Sequence, residues 1–339
     1  YDLSLMHFAF NAASELATEL GLADEAAHWK AIGAQLPDLN LDEDRALTFA
    51  KGFPYDQSHR HFSHAMSIHP LGLVDWSQGE KSQEIIKATL KKLQDFGPDY
   101  WCGYSYSWFG NMKARAFDGE GAADALRTFA ECFCLPNTFH ANGDQTKSGK
   151  SKFTYRPFTL EGNFAFAAGI QEMLLQSHTG VIRVFPAVPV AWQDVSFDKL
   201  RAMGAFLVSA EKVAGQVRQV RILPEQGGTL RLAIPEGCKV ASVTGNKGDK
   251  LEKEGVLILE TEKDKTVTVQ LTYMKHVNKI LAGLITCCVI LLLSGCSPRQ
   301  GEKHDFSIGK GTFLLDGKPF VIKAAEIHYT RIPAEYWQH

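Results

Sequence analysis

Histidine and arginine side chains are concentrated in one short segment of the sequence. His59, Arg60, His61, His64 and His69 lie between residues 59 and 69. The histidines lack a carboxylate at the offsets typical of metal motifs, which argues against a metal site. Imidazole and guanidinium groups donate hydrogen bonds in fixed directions, so these residues suit the hydroxyls of a sugar held in a cleft. A histidine-rich surface loop is the alternative interpretation.

A second segment places a carboxylate beside the start of a helix. Glu161 is followed by Gly162 and Asn163, immediately before an apolar pattern of helical period. A carboxylate there interacts favourably with the helix dipole, the glycine lets a ligand approach, and the amide can orient a water molecule. The segment therefore indicates a carboxylate and an amide placed to act on a bound ligand or water, with a plain capping glutamate as the alternative.

Aromatic residues form a third group. Trp101, Tyr104, Tyr106 and Trp108 lie within one stretch of eight positions, 101–108. Flat apolar rings with polar edges suit the faces of pyranose rings, and Trp108 is a candidate sugar contact. On composition alone, a buried aromatic seam is the commoner explanation.

The elements that must position these groups are helices in the first half of the chain. Leu5, Phe8, Ala12, Leu16 and Leu20 recur at three- to four-residue steps and predict an apolar stripe on a helix that ends at Gly21. Further helices are predicted at residues 24–36 with Asp24 as the N-cap, and at 81–93, 105–117, 121–133 and 164–175. Long polar connections at residues 48–70 and 136–160 hold the histidine segment and lead into Glu161. Loops of this length are more often functional than accidental.

The pattern changes to short β-branched runs after Gly180. Seven strands are predicted at residues 181–185, 205–210, 216–223, 229–234, 239–243, 256–260 and 266–272. Strands of this length and spacing favour an antiparallel β-sandwich. The helix-to-strand boundary near Gly180 has no flexible linker, so the two domains are expected to pack directly.

Four stretches together resemble glycoside hydrolase family 95, the inverting α-L-fucosidase family. They are HRHFSHAMSIHP at 59–70, YSYSWFGNMKARAFDGEGAADAL at 104–126, FTLEGNFAFAAGIQEMLLQSHTGVIRVFPAVP at 158–189 and LRAMGAF at 200–206, in the family order. The resemblance implies the C-terminal part of an (α/α)6 catalytic barrel at residues 1–180 and a C-terminal β-sandwich domain at 181–273. It also implies a glycan substrate, and no cofactor is predicted.

The resemblance carries roles to particular residues. Arg60 and His61 match the sugar-contacting pair of the family, and Glu161 stands where the general base lies in an Asp-Gly-Asn motif. His64, Asn163 and Trp108 are the further candidate substrate contacts. Glutamate in place of aspartate moves the carboxyl oxygens by about one methylene, which indicates either a backbone adjustment or a subgroup with another substrate such as an α-L-galactoside.

The catalytic set predicted for this chain is incomplete. An inverting glycosidase needs a general acid opposite the base, and residues 1–58 contain no convincing candidate. The resemblance places the acid upstream of Tyr1. We therefore expect this chain alone not to hydrolyse an α-L-fucoside.

Residues 274–296 resemble a bacterial lipoprotein signal. A basic run at Met274–Lys279 precedes the apolar stretch Ile280–Leu293, which is shorter than the roughly 20 residues needed to cross a bilayer. Leu293, Ser294, Gly295 and Cys296 complete the pattern, with Cys296 as the expected lipidation site. A buried core helix or short anchor is the alternative. The signal predicts an extracytoplasmic location, periplasm or outer membrane, in a Gram-negative bacterium.

The last segment resembles the opening of glycoside hydrolase family 35, the retaining β-galactosidases. The stretch FLLDGKPFVIKAAEIHYTRIPAEYW at 313–337 carries the likeness, and residues 313–315 and 320–324 predict a hairpin around Asp316-Gly317-Lys318. Residues 297–339 are thus predicted to be a small β fragment of a (β/α)8 barrel. In this interpretation the chain joins the tail of one enzyme to the head of another, through a lost stop codon or a true fusion.

Charge and composition limit the other function classes. Thirty-six basic and 38 acidic side chains give the 339-residue chain a net charge of −2, which removes a broad electrostatic case for nucleic acid as a partner. An oligosaccharide or polysaccharide is the predicted partner, with membrane contact only through the lipoprotein signal segment. A non-catalytic carbohydrate-binding lipoprotein is the alternative function.

Overall fold

The computed structural model describes residues 1–273, 306–309, 312–315 and 318–320. The chain divides into two compact units, Tyr1–Lys275 and His276–His339. The first unit contains a helical part followed by an antiparallel β part. In the described residues, no helix is both long enough and apolar enough to cross a membrane.

Six α-helices form the helical part of the first unit. They are α1 (Asp2–Glu19), α2 (Ala23–Gly33), α3 (Glu80–Phe96), α4 (Gly103–Arg115), α5 (Gly119–Cys132) and α6 (Leu160–Leu174). Each predicted helix is confirmed within a few residues. The predicted cap at Asp24 is wrong, because α2 begins one residue earlier with Leu22 at the N-cap position and Asp24 in its first turn.

The orientation of α1 differs from the prediction based on its apolar stripe. Leu5 and Phe8 are exposed, and Leu16 and Leu20 are 64% and 73% exposed. The buried residues of this helix are Ser4 and Ala17, which lie on another face. Phe10 is also partly buried and its ring stacks on Trp29 of α2, so α1 packs through a face other than the predicted stripe, most of which the described part of the chain leaves exposed.

Helices α4 and α6 lie side by side and run in the same direction. Ser107 Oγ donates a hydrogen bond to Gly162 O over 3.0 Å, and Asn111 Nδ2 donates to Ala165 O over 2.8 Å. Further along both helices, Arg115 forms a bidentate ion pair with Glu172, with Nε–Oε2 and Nη2–Oε1 distances of 2.6 and 2.7 Å. Since contacts advance in step along both chains, the N-termini of α4 and α6 lie at the same end of the pair.

The β part of the first unit consists of two antiparallel sheets and a two-stranded ribbon. Its strands are β1 (Leu175–Gln176), β2 (Arg183–Val184), β3 (Val195–Ala202), β4 (Phe206–Val213), β5 (Gln216–Pro224), β6 (Gly228–Ala233), β7 (Cys238–Thr244), β8 (Lys247–Lys253), β9 (Val256–Thr261) and β10 (Val267–Tyr273). Strand β1 pairs with β2, one sheet has the order β3-β4-β5-β10-β7, and the other has the order β6-β9-β8. One buried cluster joins them, with Val208 and Val220 from the first sheet and Leu230 and Leu257 from the second. This arrangement agrees with the predicted sandwich.

Two strands of the sandwich were not predicted. Strand β8 has the sequence KGDKLEK, and all of its residues are exposed, so it carries no buried apolar alternation. Strand β3 contains a register shift between Phe197 and Leu200, which breaks the two-residue period. Both strands depend on pairing with neighbours rather than on their own pattern.

The change from helix to strand occurs at Leu175, five residues before the predicted Gly180 boundary. Gln176 Nε2 donates a hydrogen bond to Ala114 O at the end of α4 over 2.9 Å. At the other side, Val190 N donates to Glu120 Oε1 in the first turn of α5 over 2.8 Å. The helical and β parts are therefore in direct contact.

The second unit contains a three-stranded antiparallel sheet of β11 (Phe306–Gly309), β12 (Thr312–Leu315) and β13 (Lys318–Phe320). Strand β12 pairs with β13, as the predicted hairpin requires, but Lys318, predicted in the turn, pairs with Leu315, and residues 321–324 of the predicted second strand lie outside the described residues. The predicted signal segment at 274–296, its lipidation site Cys296 and the family 35 motif from Glu326 onward lie outside the described residues.

Candidate active site

A cleft of about 250 Å³ lies at the shared N-terminal end of α4 and α6. It is lined by Arg60, His61, Cys102, Tyr104, Asn142, Thr159 and Glu161. Three sequence segments meet here, namely the histidine segment, the start of α4 and the connection that leads into α6. The structure thus brings Arg60, His61 and Glu161, all predicted from the sequence, into one pocket.

Glu161 is the second residue of α6, whereas the sequence placed it before the helix, because α6 begins at Leu160 rather than at the predicted residue 164. Thr159 is the N-cap residue, and its extended backbone gives way to the helix at Leu160. A carboxylate in the first turn of a helix is stabilised by the positive end of the helix dipole. Glu161 is therefore presented to the pocket as an anionic acceptor.

The loop that carries Arg60 and His61 is held by hydrogen bonds to its neighbours. Ser105 Oγ in the first turn of α4 donates to Arg60 O over 2.7 Å. His59 N donates to Tyr55 Oη over 2.9 Å, and Tyr55 is almost completely buried. The loop is therefore anchored to both the core and α4.

The side chains of Arg60 and His61 interact directly. Arg60 Nε donates to His61 Nε2 over 3.1 Å, which fixes Nε2 as an acceptor. Partial burial lowers the pKa of His61, and the positive charge of Arg60 and the nearby His59 lower it further. His61 is thus a neutral imidazole whose Nδ1–H is left to donate to a ligand.

Tyr104 lies in the first turn of α4, on the same lining as Glu161. Burial raises the pKa of its hydroxyl, and the nearby Cys102 and Glu161 side chains raise it further. The phenol therefore stays protonated and is able to donate a hydrogen bond. Its ring packs against Trp108 with the centroids 5.7 Å apart.

Asn142 is a pocket residue that the sequence analysis did not identify. Its Nδ2 donates to Tyr155 Oη over 3.1 Å, and its backbone oxygen accepts from Gly103 N at the start of α4. The available signal was the unusual length of the 136–160 connection, which pointed to function without selecting a residue. Asn142 joins that connection to α4 across the pocket.

Three predicted substrate contacts are absent from the lining of the described pocket. His64 is only 2% exposed and stacks on Tyr55 within the core, where burial lowers its pKa to about 3. Trp108 is buried one turn after Tyr104, and its Nε1 donates to His69 O. The amide of Asn163 is used internally, since Oδ1 accepts from His140 N and Nδ2 donates to Thr138 O.

These placements have simple causes. The 3₁₀-helix Ser63–Ser67 turns His64 towards the core, and the helical period puts Trp108 behind Tyr104 rather than beside it. Of the two explanations considered for the aromatic group, a buried seam accounts for Trp101 and Trp108. In the part of the chain that the structure describes, no three His, Cys, Asp or Glu side chains are grouped to hold a metal ion.

Comparison with known proteins shows which families and proteins this chain is similar to. Residues 1–174 match the Glycosyl hydrolase family 95 catalytic domain, and residues 176–269 match the Glycoside hydrolase family 95, C-terminal domain. Alpha-L-fucosidase 2 of Arabidopsis thaliana is 28% identical over 231 residues, which are 66% of this chain and 27% of that protein. The chain thus matches about a quarter of the length of this curated relative.

Proposed function

This chain belongs to glycoside hydrolase family 95, and we propose that its pocket supplies the general base and sugar contacts of an inverting α-L-fucosidase-type reaction. The observation that carries the proposal is the presence of Glu161, Arg60 and His61 on one small pocket. A volume of about 250 Å³ lies just below the range of about 300–1,000 Å³ for drug-sized ligands, which favours a single sugar ring.

Glu161 acts as the base in this proposal. Its carboxylate removes a proton from a water molecule as the water oxygen bonds to the anomeric carbon and the bond to the leaving oxygen breaks. Arg60 and the Nδ1–H of His61 donate hydrogen bonds to sugar hydroxyls. Tyr104 adds a third donor, because its hydroxyl stays protonated.

The general acid is not among the residues of this pocket. Glu161 is the only carboxylate in the described lining, whereas inversion needs a second carboxyl group about 6.5–9.5 Å away. We propose that the described residues support the base half of the reaction only. Substrates whose leaving group departs without a proton are therefore the ones this chain can cleave.

The substrate class proposed is an α-L-fucoside or the related α-L-galactoside. The fucosidase relative favours the first, and the glutamate at position 161 leaves room for the second. The two sugars differ by the hydroxyl at C6, so matched fucosyl and galactosyl substrates separate them.

A leaving-group experiment tests the proposal. The chain is given α-L-fucosyl fluoride, which needs no acid, and methyl α-L-fucoside, which does. We expect the fluoride to be hydrolysed with inversion, the methyl glycoside to be untouched, and E161Q to lose on the order of 10²–10⁴-fold in rate, the usual contribution of a general base. The anomer formed is read by proton NMR.

Each other outcome has a definite meaning. Cleavage of methyl α-L-fucoside would show that an acid is supplied and contradict the half-site proposal. Turnover that survives E161Q, or a retained anomeric configuration, would contradict the role of Glu161. Binding of L-fucose by calorimetry with no turnover of the fluoride would favour the carbohydrate-binding alternative.

A further inference from the structure

His140 is a fully buried histidine directly behind the pocket that the proposed reaction does not use. It lies in the 136–160 connection, two residues before Asn142. Burial lowers the pKa of its imidazole, while a hydrogen bond to Thr159 and the charge of Glu161 act in the opposite direction. The imidazole lies against the first turns of α4 and α6, the two helices that carry lining residues of the pocket.

Two glycines make the space that the imidazole occupies. A Cβ atom added to Gly103, the first residue of α4, would lie 2.2 Å from His140 Nε2. A Cβ atom added to Gly162, in the first turn of α6, would lie 2.3 Å from His140 Nδ1. Distances this short exclude any side chain at either position while the ring is in place. The ring is thus wedged between the first turns of the two helices.

The hydrogen bonds of His140 converge on the turn that carries Glu161. Its Nδ1 lies 2.6 Å from Thr159 O and 2.8 Å from Thr159 Oγ1. Because a carbonyl oxygen only accepts, Nδ1 carries the proton, and the hydroxyl oxygen is a second acceptor beside it. Its backbone N–H donates to Asn163 Oδ1 over 2.9 Å, and its backbone oxygen accepts from Thr159 N over 3.2 Å. Residues on both sides of Glu161 are therefore tied to one histidine.

We propose that His140 is a positioning residue that fixes the first turn of α6, so that Glu161 faces Arg60 and His61 across the pocket. This inference rests on the proposed function. The imidazole acts as a neutral group with Nδ1–H as donor, and the buried Nε2 has no hydrogen-bond partner among the described residues. A neutral ring holds the turn without forming an ion pair with the base.

The consequence for catalysis is geometric. A misplacement of a reacting group by about 1 Å costs on the order of 10²-fold in rate. Loss of the His140 hydrogen bond to Thr159 is therefore expected to reduce kcat, while Arg60 and His61, on a separate loop, leave KM little changed. A residue that only filled the core would affect stability without this split.

Two substitutions at position 140 distinguish the effect of the Nδ1–H hydrogen bond from the effect of the ring volume. H140N keeps an N–H near the position of Nδ1 but removes part of the ring, whereas H140F keeps the ring volume and removes the donor. L126A is the matched control, because it leaves a cavity between α4, α5 and α6 without touching the first turns of α4 and α6. Each variant is assayed with α-L-fucosyl fluoride, and its melting temperature is measured.

For H140F we expect a 10- to 100-fold loss in kcat with KM within about threefold of wild type, in line with the cost of misplacement. H140N is expected to recover most of the rate, although it is less stable. L126A is expected to keep kcat at temperatures where it is folded. If H140N and H140F lose rate equally, or only in proportion to melting temperature, the positioning role is wrong.

An activity-independent measurement keeps this test separate from that of the proposed function. Nitrogen-15 NMR of His140 in the folded chain is expected to show the Nδ1–H tautomer, and a crystal structure of H140F to show the Thr159–Gly162 turn displaced. If both results are obtained but the wild-type chain hydrolyses no fluoride, the proposed function is overturned and the link between His140 and this turn stands. An Nε2–H tautomer or an unmoved turn would overturn the link itself.

Discussion

The Arg60–His61 pair shows how a neighbouring charge changes the chemistry of a side chain. Arg60 donates to His61 Nε2, and its positive charge, added to partial burial, lowers the pKa of the imidazole. A protonated imidazole would lose its acceptor and repel the guanidinium. The pair therefore presents one permanent cation and one neutral donor to a ligand, both able to donate hydrogen bonds to hydroxyl groups.

The partly buried His69 predicts how stability depends on pH. Burial, together with the Arg115 and His178 charges, lowers the pKa of His69 to about 4, although Glu172 opposes this. Because the unfolded chain takes up a proton near pH 6.5 and the folded chain near pH 4, the free energy of unfolding falls as the pH drops through that window.

The expected size of this effect is about 1.4 kcal/mol per pH unit for one proton between pH 6 and 4.5. H69N is expected to reduce the slope of unfolding free energy against pH by that amount, measured by urea denaturation. H28N, at an exposed histidine, is the control and should leave the slope unchanged. An unchanged slope in H69N would mean that His69 takes up its proton over the same pH range in the folded and the unfolded chain.

At the residue scale, the sequence could predict groups but not which of their members reach solvent. Type and spacing identified Glu161 and the histidine segment, and the family resemblance selected Arg60 and His61 within that segment. All three line the pocket. His64 has the same chemistry as His61 but faces the core. That difference is set by a 3₁₀-helix stabilised through tertiary packing, and no local pattern encodes it.

At the scale of elements, two glycines control how closely α4 and α6 approach. A Cβ atom at Gly110 or at Gly169 would lie 2.9 Å from Leu126 Cδ2, so the leucine of α5 inserts between both helices. Alanine is favoured over glycine inside a helix by about 1 kcal/mol, but overpacking a filled core costs about 1–3 kcal/mol. The cost of overpacking is therefore expected to exceed the gain in helix propensity.

We expect G169A to lower the free energy of unfolding by about 1–2 kcal/mol, measured by denaturant titration. The double variant G169A/L126A is the informative comparison, because removing the leucine removes the clash. The cost of G169A should then vanish or become a gain from helix propensity. Equal costs in both backgrounds would show that Leu126 is not the obstructing side chain.

Helices and strands could be predicted where the spacing of apolar residues matches the face that the fold buries. The two exceptions, α1 and β8, have structural causes. All six helices follow from three- to four-residue spacing, yet the stripe of α1 that predicted the helix is exposed. Strand β8 has no apolar period, since it is a fully exposed edge of its sheet. In both cases the local pattern differs from what the fold buries.

At the scale of the whole molecule, the contact between the helical and β parts depends on a close backbone approach. A Cβ atom at Gly119 would lie 2.6 Å from Val188 C and 2.7 Å from Ala187 C. Backbone atoms have little freedom to move aside. The neighbouring Glu120 accepts a hydrogen bond from Val190 N at the same contact.

G119A is expected to weaken the contact between the helical and β parts, so that the two parts unfold less cooperatively. By differential scanning calorimetry, the first unit should lower its melting temperature by several degrees and broaden or divide its transition, since domains that lose their interface unfold more independently. E120A, which removes only the hydrogen bond, should cause a smaller shift in a single transition. A sharp, unshifted transition in G119A would show that the contact does not couple the two parts.

The common direction of α4 and α6 has an evolutionary consequence. Apart from Arg60 and His61, which lie on a separate loop, the lining residues lie in the first turns of these helices or in the connections before them. The packing that aligns the helices lies further along, at Ser107, Asn111 and Arg115. Substitutions that retune sugar preference therefore fall on positions that contribute little to that packing. Substitutions at the lining are therefore expected to change sugar preference while the packing between the two helices stays in place.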